Sequence, residues 1–141
     1  MEYLPITESD RELIEAATAV IRRNYVQGRH HVGSAVRARS GRIFAGVHLD
    51  SNAIDVCAEA VALGMAASSG EREFDAIVAV SLANGDTPHV LSPCGTCREL
   101  IKFYGPDTAV IFVEDGDLKK CRASDLLPGP YVHPREAQNN T

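Results

Sequence analysis

Three cysteines and one glutamate carry the chemistry in this chain of 141 residues. They are Cys57 and Glu59 in Cys57-Ala58-Glu59, and Cys94 and Cys97 in Pro93-Cys94-Gly95-Thr96-Cys97-Arg98. Thiolates are soft ligands, and a Cys-x-x-Cys pair joined by a third cysteine can hold a zinc ion. Three protein ligands leave one tetrahedral position for water, and a carboxylate beside that water can take its proton and later pass it on. On this reading Cys57, Cys94 and Cys97 hold the metal and Glu59 is the catalytic proton carrier. Two other chemistries fit parts of the set. A fourth ligand such as His48 or Asp50 would close the shell into a non-catalytic structural zinc module. Cys94 and Cys97 alone would make a thiol redox pair ahead of a helix, which leaves Cys57 and Glu59 without a task.

The elements that must bring these residues together can be read from periodicity. Residues 57–69 are rich in Ala, Leu and Met and stop at Gly70, and residues 94–104 form a second helical run halted by Gly105-Pro106. Both cysteine motifs therefore open helices. Cys94 and Cys97, three apart, share a helix face, whereas Cys57 and Glu59, two apart, do not. If the ion sits off the tip of the first of these helices, Cys57 can bind it while Glu59 reaches over the open position. Each helix N-terminus offers roughly half a positive charge to offset the thiolates, and Arg98 is placed to donate to a cysteine sulfur.

Upstream, Ser9-Asp10-Arg11-Glu12 has capping-box spacing before a helix whose apolar face includes Leu13, Ala17 and Val20. Residues 32–38 and 42–49 flank the turn Ser40-Gly41 as a hairpin. Phe74 to Ala83 reads as a buried strand ending at Asn84-Gly85, Ala109 to Val113 as another before Asp115-Gly116, and a short strand follows. The order α-β-β-α-β-α-β-β predicts an α/β fold with one mixed, five-stranded sheet between helices, in a single domain over residues 1–141.

Composition bounds the partners. No run of residues is apolar enough to span a membrane, and the start lacks the layout of a signal peptide, so a cytoplasmic protein is expected. Fourteen basic against nineteen acidic residues disfavour nucleic acid or a membrane surface as partner.

Taken in chain order, Val32-Gly33-Ser34-Ala35, the segment Gly41 to Val47, Cys57-Ala58-Glu59, Ser92 to Glu99 and Asp125-Leu126-Leu127-Pro128 resemble the zinc-dependent cytidine deaminases and the related blasticidin S deaminases. The resemblance covers roughly residues 9 to 132. It implies a three-layer α/β/α fold, a zinc cofactor on the three cysteines, attack of activated water on C4 of a cytosine ring, and Glu59 as the proton shuttle. The substrate would be cytidine, deoxycytidine or another aminopyrimidine nucleoside, and the enzyme a homo-oligomer, a tetramer by family expectation. His48, Asp50, Ser34 and Ala58 are the implied substrate contacts. His48 departs from the pattern, since the family has Asn where this chain has His. Ala60 stands where the family has an arginine that neutralises thiolate charge, which leaves that task to Arg98. His30 stands where the family often has an aromatic residue. The adjacent His30 and His31 are expected on opposite faces of a strand, in structural or pocket-wall roles. Cys121 is expected to be a packed thiol, and Tyr131 to cover a neighbour's pocket or the domain's own core.

Overall fold

The computed structural model describes residues 1–82 and 86–139. It contains α1 (Glu8–Asn24), β1 (Val32–Ala38), β2 (Ile43–Val47), β3 (Leu49–Asp50), β4 (Asp55–Val56) and α2 (Ala58–Ser68). These are followed by β5 (Phe74–Ser81), β6 (His89–Leu91), α3 (Gly95–Tyr104), β7 (Ala109–Glu114), β8 (Asp117–Arg122), a 3-10 turn (Ala123–Leu126) and α4 (Pro134–Asn139). The expected Asn84-Gly85 turn lies outside the described residues.

The main sheet runs β2-β1-β5-β7-β8, and β5 and β7 are its parallel pair. This is the five-strand mixed path that the sequence predicts. A sixth strand, β6, pairs antiparallel with the end of β5, from Ala79 to Ser81. At three residues it is too short to leave a periodic signal. The β3–β4 pair is a separate two-stranded arm between β2 and α2.

Alternation along the strands sends side chains to two layers. Ala35 on β1 with Val78 and Val80 on β5 packs against Leu13 and Ala17 of α1. Val36 and Ala38, one residue out of phase, pack with Ala62, Leu63 and Ala66 of α2 and Ile101 of α3. The sheet is thus covered by α1 on one face and by α2 and α3 on the other. Two glycines set how closely the helices approach. A Cβ on Gly33 would stand 2.6 Å from the Ala17 carbonyl oxygen of α1, and one on Gly46 would stand 2.6 Å from Val61 Cγ1 of α2. The Cys121 thiol is buried in β8 within the α2–α3 layer, as expected for a packed cysteine.

The cap of α1 differs from the sequence expectation by two residues. Thr7 is the N-cap, its hydroxyl accepts from the Asp10 N–H, and Asp10 Oδ2 accepts the Thr7 N–H at 2.8 Å. Asp10 wins over Glu12 because it is also held, buried, by Lys120 Nζ of β8 at 2.8 Å. Among the described residues no helix is long and apolar enough to cross a membrane.

Candidate metal centre and active-site cavity

The two cysteine motifs converge because the sheet brings two helix starts to one end of the α2–α3 layer. Cys57 is the N-cap of α2, Cys94 is the N-cap of α3, and Cys97 sits in the first turn of α3. Both caps have extended backbone, so the chain enters each helix with its thiol beside the free N–H groups of the first turn. The three Sγ atoms lie within 4.8 Å of one another, and Cys57 Sγ is 3.6 Å from Cys94 Sγ. A tetrahedral zinc with Zn–S bonds of about 2.3 Å needs sulfurs about 3.8 Å apart. The set therefore fits zinc as it stands. Among the described residues no His, Asp or Glu joins the group as a fourth ligand, which speaks against a closed structural shell. With Cys57 in the set, the site is also a three-sulfur cluster and not an isolated dithiol.

The local electrostatics follow from burial and from the helix ends. Burial pushes the Cys57 thiol above its ordinary value and Cys97 far above it, with Glu59 and the other two cysteines adding to the rise at Cys97. Burial acts in the same sense on Cys94, but there the N–H groups of Cys97 and Thr96 and the neighbouring thiols outweigh it and hold the thiol low. A divalent cation offsets this desolvation, so metal binding and thiol deprotonation must occur together.

Glu59 is buried at the first turn of α2, and burial raises its carboxyl above the ordinary range against the opposing pull of its own N–H and the Cys97 thiol. It lines a cavity of about 220 Å³ together with Cys57, Cys94, Ala58, His48 and Asp50. Two of the three expected metal ligands, the expected proton carrier and three of the four expected substrate contacts thus line one cavity, and Cys97 joins the cluster from behind that lining.

Two of the expected residues lie off the cavity lining. Ser34 is fully buried in β1, and its hydroxyl donates to the Val78 carbonyl of β5 at 2.7 Å, away from the cavity lining. Its side chain points to the helix layer, where the neighbouring strand supplies an acceptor. Arg98 is the other. Its Nε donates to the Pro93 carbonyl at 2.9 Å and its Nη1 to the Leu126 carbonyl at 3.3 Å. The guanidinium ties the loop that carries Cys94 to the 3-10 turn through these two backbone oxygens. Ala60 at the other candidate position carries no charge, and the N–H groups of Thr96 and Cys97 contribute to stabilising the Cys94 thiolate.

The histidines also differ from expectation. Residues 30 and 31 precede β1, so strand alternation does not separate them, and both engage His48. The ring of His31 meets the His48 ring edge-on at 4.4 Å between centroids, and His30 Nδ1 is 2.8 Å from the His48 carbonyl oxygen. It is His31, not His30, that lines the cavity. Asp55, Leu91 and Ser92 line it as well and were not anticipated. Asp55 could have been suspected from its place two residues before Cys57. Leu91 carried no signal, because its role depends on β6.

Tyr131 is 80% exposed and lines a surface groove against the outer face of α3, beside Phe103 and Leu127.

The family model of the cytidine and deoxycytidylate deaminase zinc-binding region matches residues 7–113. Over 138 residues the chain is 42% identical to a blasticidin-S deaminase from Bacillus cereus, covering 94% of this chain and 99% of that protein. It is 33% identical to a cytidine deaminase from Sporosarcina psychrophila over 71% of this chain and 74% of the other. In structure it is similar to the cytidine deaminase of Burkholderia pseudomallei, with a TM-score of 0.72, 32% identity, and coverage of 89% of this chain and 100% of the other.

Proposed function

The chain belongs to the cytidine and deoxycytidylate deaminase family, with zinc as its metal, and from this premise we propose that it hydrolyses a cytosine nucleoside, cytidine or deoxycytidine, to the uracil nucleoside and ammonia. The observation that carries the reading is the meeting of three cysteine sulfurs at two helix tips, two of them lining one cavity with a buried glutamate.

Cys57, Cys94 and Cys97 would hold the ion. Zinc bound there supplies a Lewis acid that makes a water molecule nucleophilic at neutral pH. The chain's own residues do the rest. Glu59 takes a proton from the water on a carboxylate oxygen and gives it to the ring nitrogen next to C4; it then takes the second proton from the new C4 hydroxyl, which becomes the carbonyl, and delivers it to the departing amine. Burial favours its neutral form, which suits a group that must give up a proton as readily as it takes one. The Ala58 N–H, in the first turn of α2, has no acceptor within its own helix, and Ala58 lines the cavity, so this N–H is the candidate donor to a carbonyl oxygen of the base. His48 and Asp50 lie at the part of the lining left for the sugar. Asp50 and Asp55 of the β3–β4 arm and Leu91 of β6 line the same cavity.

Blasticidin S is the second reading. It is favoured by the 42% identity that runs along almost the whole of both chains. An ammonia-release panel over cytidine, deoxycytidine, blasticidin S and cytosine tests both. Release from cytidine or deoxycytidine supports the first reading, release from blasticidin S alone promotes the second, and release from none removes both.

We also propose that the enzyme works as a homotetramer in the cytoplasm. Exposed Phe103, Tyr104, Ile54 and Tyr131 are apolar surface that self-association would cover, and all four cysteines are free thiols that a reducing compartment preserves.

A further inference from the structure

The chain passes from β2 to β3 through one residue, His48, which is 6% exposed and packs beside the segment that leads into β1. Both polar groups of its backbone and one ring nitrogen are engaged with that segment. The His48 N–H donates to the Val32 carbonyl at 3.1 Å, and the His48 carbonyl oxygen lies 2.8 Å from His30 Nδ1. Its own Nδ1 receives the backbone N–H groups of His31 and Val32, each at 3.3 Å. A carbonyl oxygen only accepts, so His30 carries its ring proton on Nδ1. A nitrogen that receives two N–H groups must keep its lone pair, so His48 carries its proton on Nε2. The two rings are therefore opposite tautomers. On its other side the same segment is tied to β5, where the Leu82 N–H donates to the His31 carbonyl at 2.8 Å. His31 lines the active-site cavity, with its ring edge-on to that of His48.

We propose that His48 is a positioning residue: by accepting the N–H groups of His31 and Val32 on its ring, it fixes the cavity wall that His31 presents to the nucleoside. The inference rests on the deaminase reading above, and in it His48 acts through the backbone of its neighbours. The arrangement holds only while Nδ1 is unprotonated, because a second ring proton would set the ring's own N–H against two backbone N–H groups. The ionisable groups around the ring are His30 and His31 before β1, Asp50 and Asp55 on the β3–β4 arm, and Glu59, Cys57 and Cys94 on the shared cavity. Burial, and after it the nearby His31, hold the His48 ring below the ordinary 6.5, while the Val32 backbone and Asp55 pull the other way. With a depressed folded value the wall is complete above pH 6.5 and is lost as pH falls through the folded value.

The test compares wild type with His48→Leu and His48→Asn, using the nucleoside of the ammonia panel that wild type turns over best, with zinc content and thermal unfolding as checks on folding. Leucine keeps an apolar filling but offers no acceptor. Asparagine places an amide oxygen near the position of Nδ1, and that oxygen accepts N–H groups without titrating. His48→Leu should raise KM by about 10-fold or more with a smaller change in kcat, and His48→Asn should recover most of that loss. The acid fall of kcat/KM should set in at lower pH in His48→Asn than in wild type. An unchanged KM in His48→Leu, or an acid limb in His48→Asn that coincides with that of wild type, overturns the inference while the reaction stands. If wild type releases ammonia from no nucleoside, the deaminase reading falls and takes the inference with it. Nitrogen-15 NMR of the intact wild-type enzyme decides the arrangement however the leucine variant folds. An unprotonated Nδ1 on His48 and a protonated Nδ1 on His30 are expected at pH 7.5, and a proton on His48 Nδ1 overturns the inference.

Discussion

At Glu59 the carboxyl is buried beside the cysteine cluster and kept off the metal by its place in the helix. Cys57 ends the extended approach to α2, Glu59 is already in its first turn, and both line the same cavity. Two substitutions separate the roles. Glu59→Gln keeps size and hydrogen-bonding reach but cannot carry the proton, so kcat should fall by roughly 10²–10⁴-fold with metal content unchanged, measured by steady-state kinetics beside elemental analysis. Cys97→Ala removes a ligand, and both metal and turnover should be lost together. A Glu59→Gln enzyme with undiminished kcat would exclude the proposed proton path. Cys57-Ala58-Glu59 and the Cys94/Cys97 pair were legible in the sequence because their chemistry is rare and their spacing is local. The fate of Ser34 and Arg98 was not, because each depends on a carbonyl that another segment supplies, at Val78 for one and at Leu126 for the other.

Between elements, the contacts that hold the site are the seats of the helices on the sheet. Gly46 lets α2 lie against β2, and a side chain there meets Val61, whose β-branched side chain has little freedom to turn within a helix. Gly46→Val should destabilise the protein by about 1–3 kcal/mol and lower activity, since α2 carries both Cys57 and Glu59; urea denaturation and kcat/KM on one preparation measure the two effects. The ion also joins elements, because its ligands come from the tips of α2 and α3. Chelation should abolish activity and lower the thermal midpoint, and adding zinc, but not magnesium, should restore both. At the other face, Asp10 caps α1 and pairs with Lys120. Burial alone would raise its carboxyl, but the hydrogen bond from Lys120, the Thr7 bonds and the Lys120 charge outweigh burial and hold it below the ordinary 3.8. A depressed folded value means that the stabilisation is present above the unfolded value and is lost as pH falls through the folded one. Asp10→Asn should therefore cost about 2–4 kcal/mol at pH 7, and the gap from wild type should close in acid below pH 3.8, as urea titrations at several pH values would register.

For the whole molecule, the sheet is the common floor of two buried layers, and β5 touches both. Residues 1–141 should accordingly unfold in one cooperative transition, with near- and far-ultraviolet dichroism changing together. The proposed homotetramer would appear as a particle of four chains in sedimentation equilibrium, and a monomer at all concentrations would count against it. By itself the sequence determined the layered α/β architecture, since alternating strands and helical stripes report which face is apolar, and it determined the three sulfurs and the carboxylate, since their types and spacing are local facts. Tertiary structure alone decided that Nε2 of His48 is buried without a partner among the described residues, that His31 rather than His30 reaches the cavity, and that Leu91 and Asp55 wall it. Those assignments depend on distances between segments far apart in the chain, which neither periodicity nor local spacing encodes.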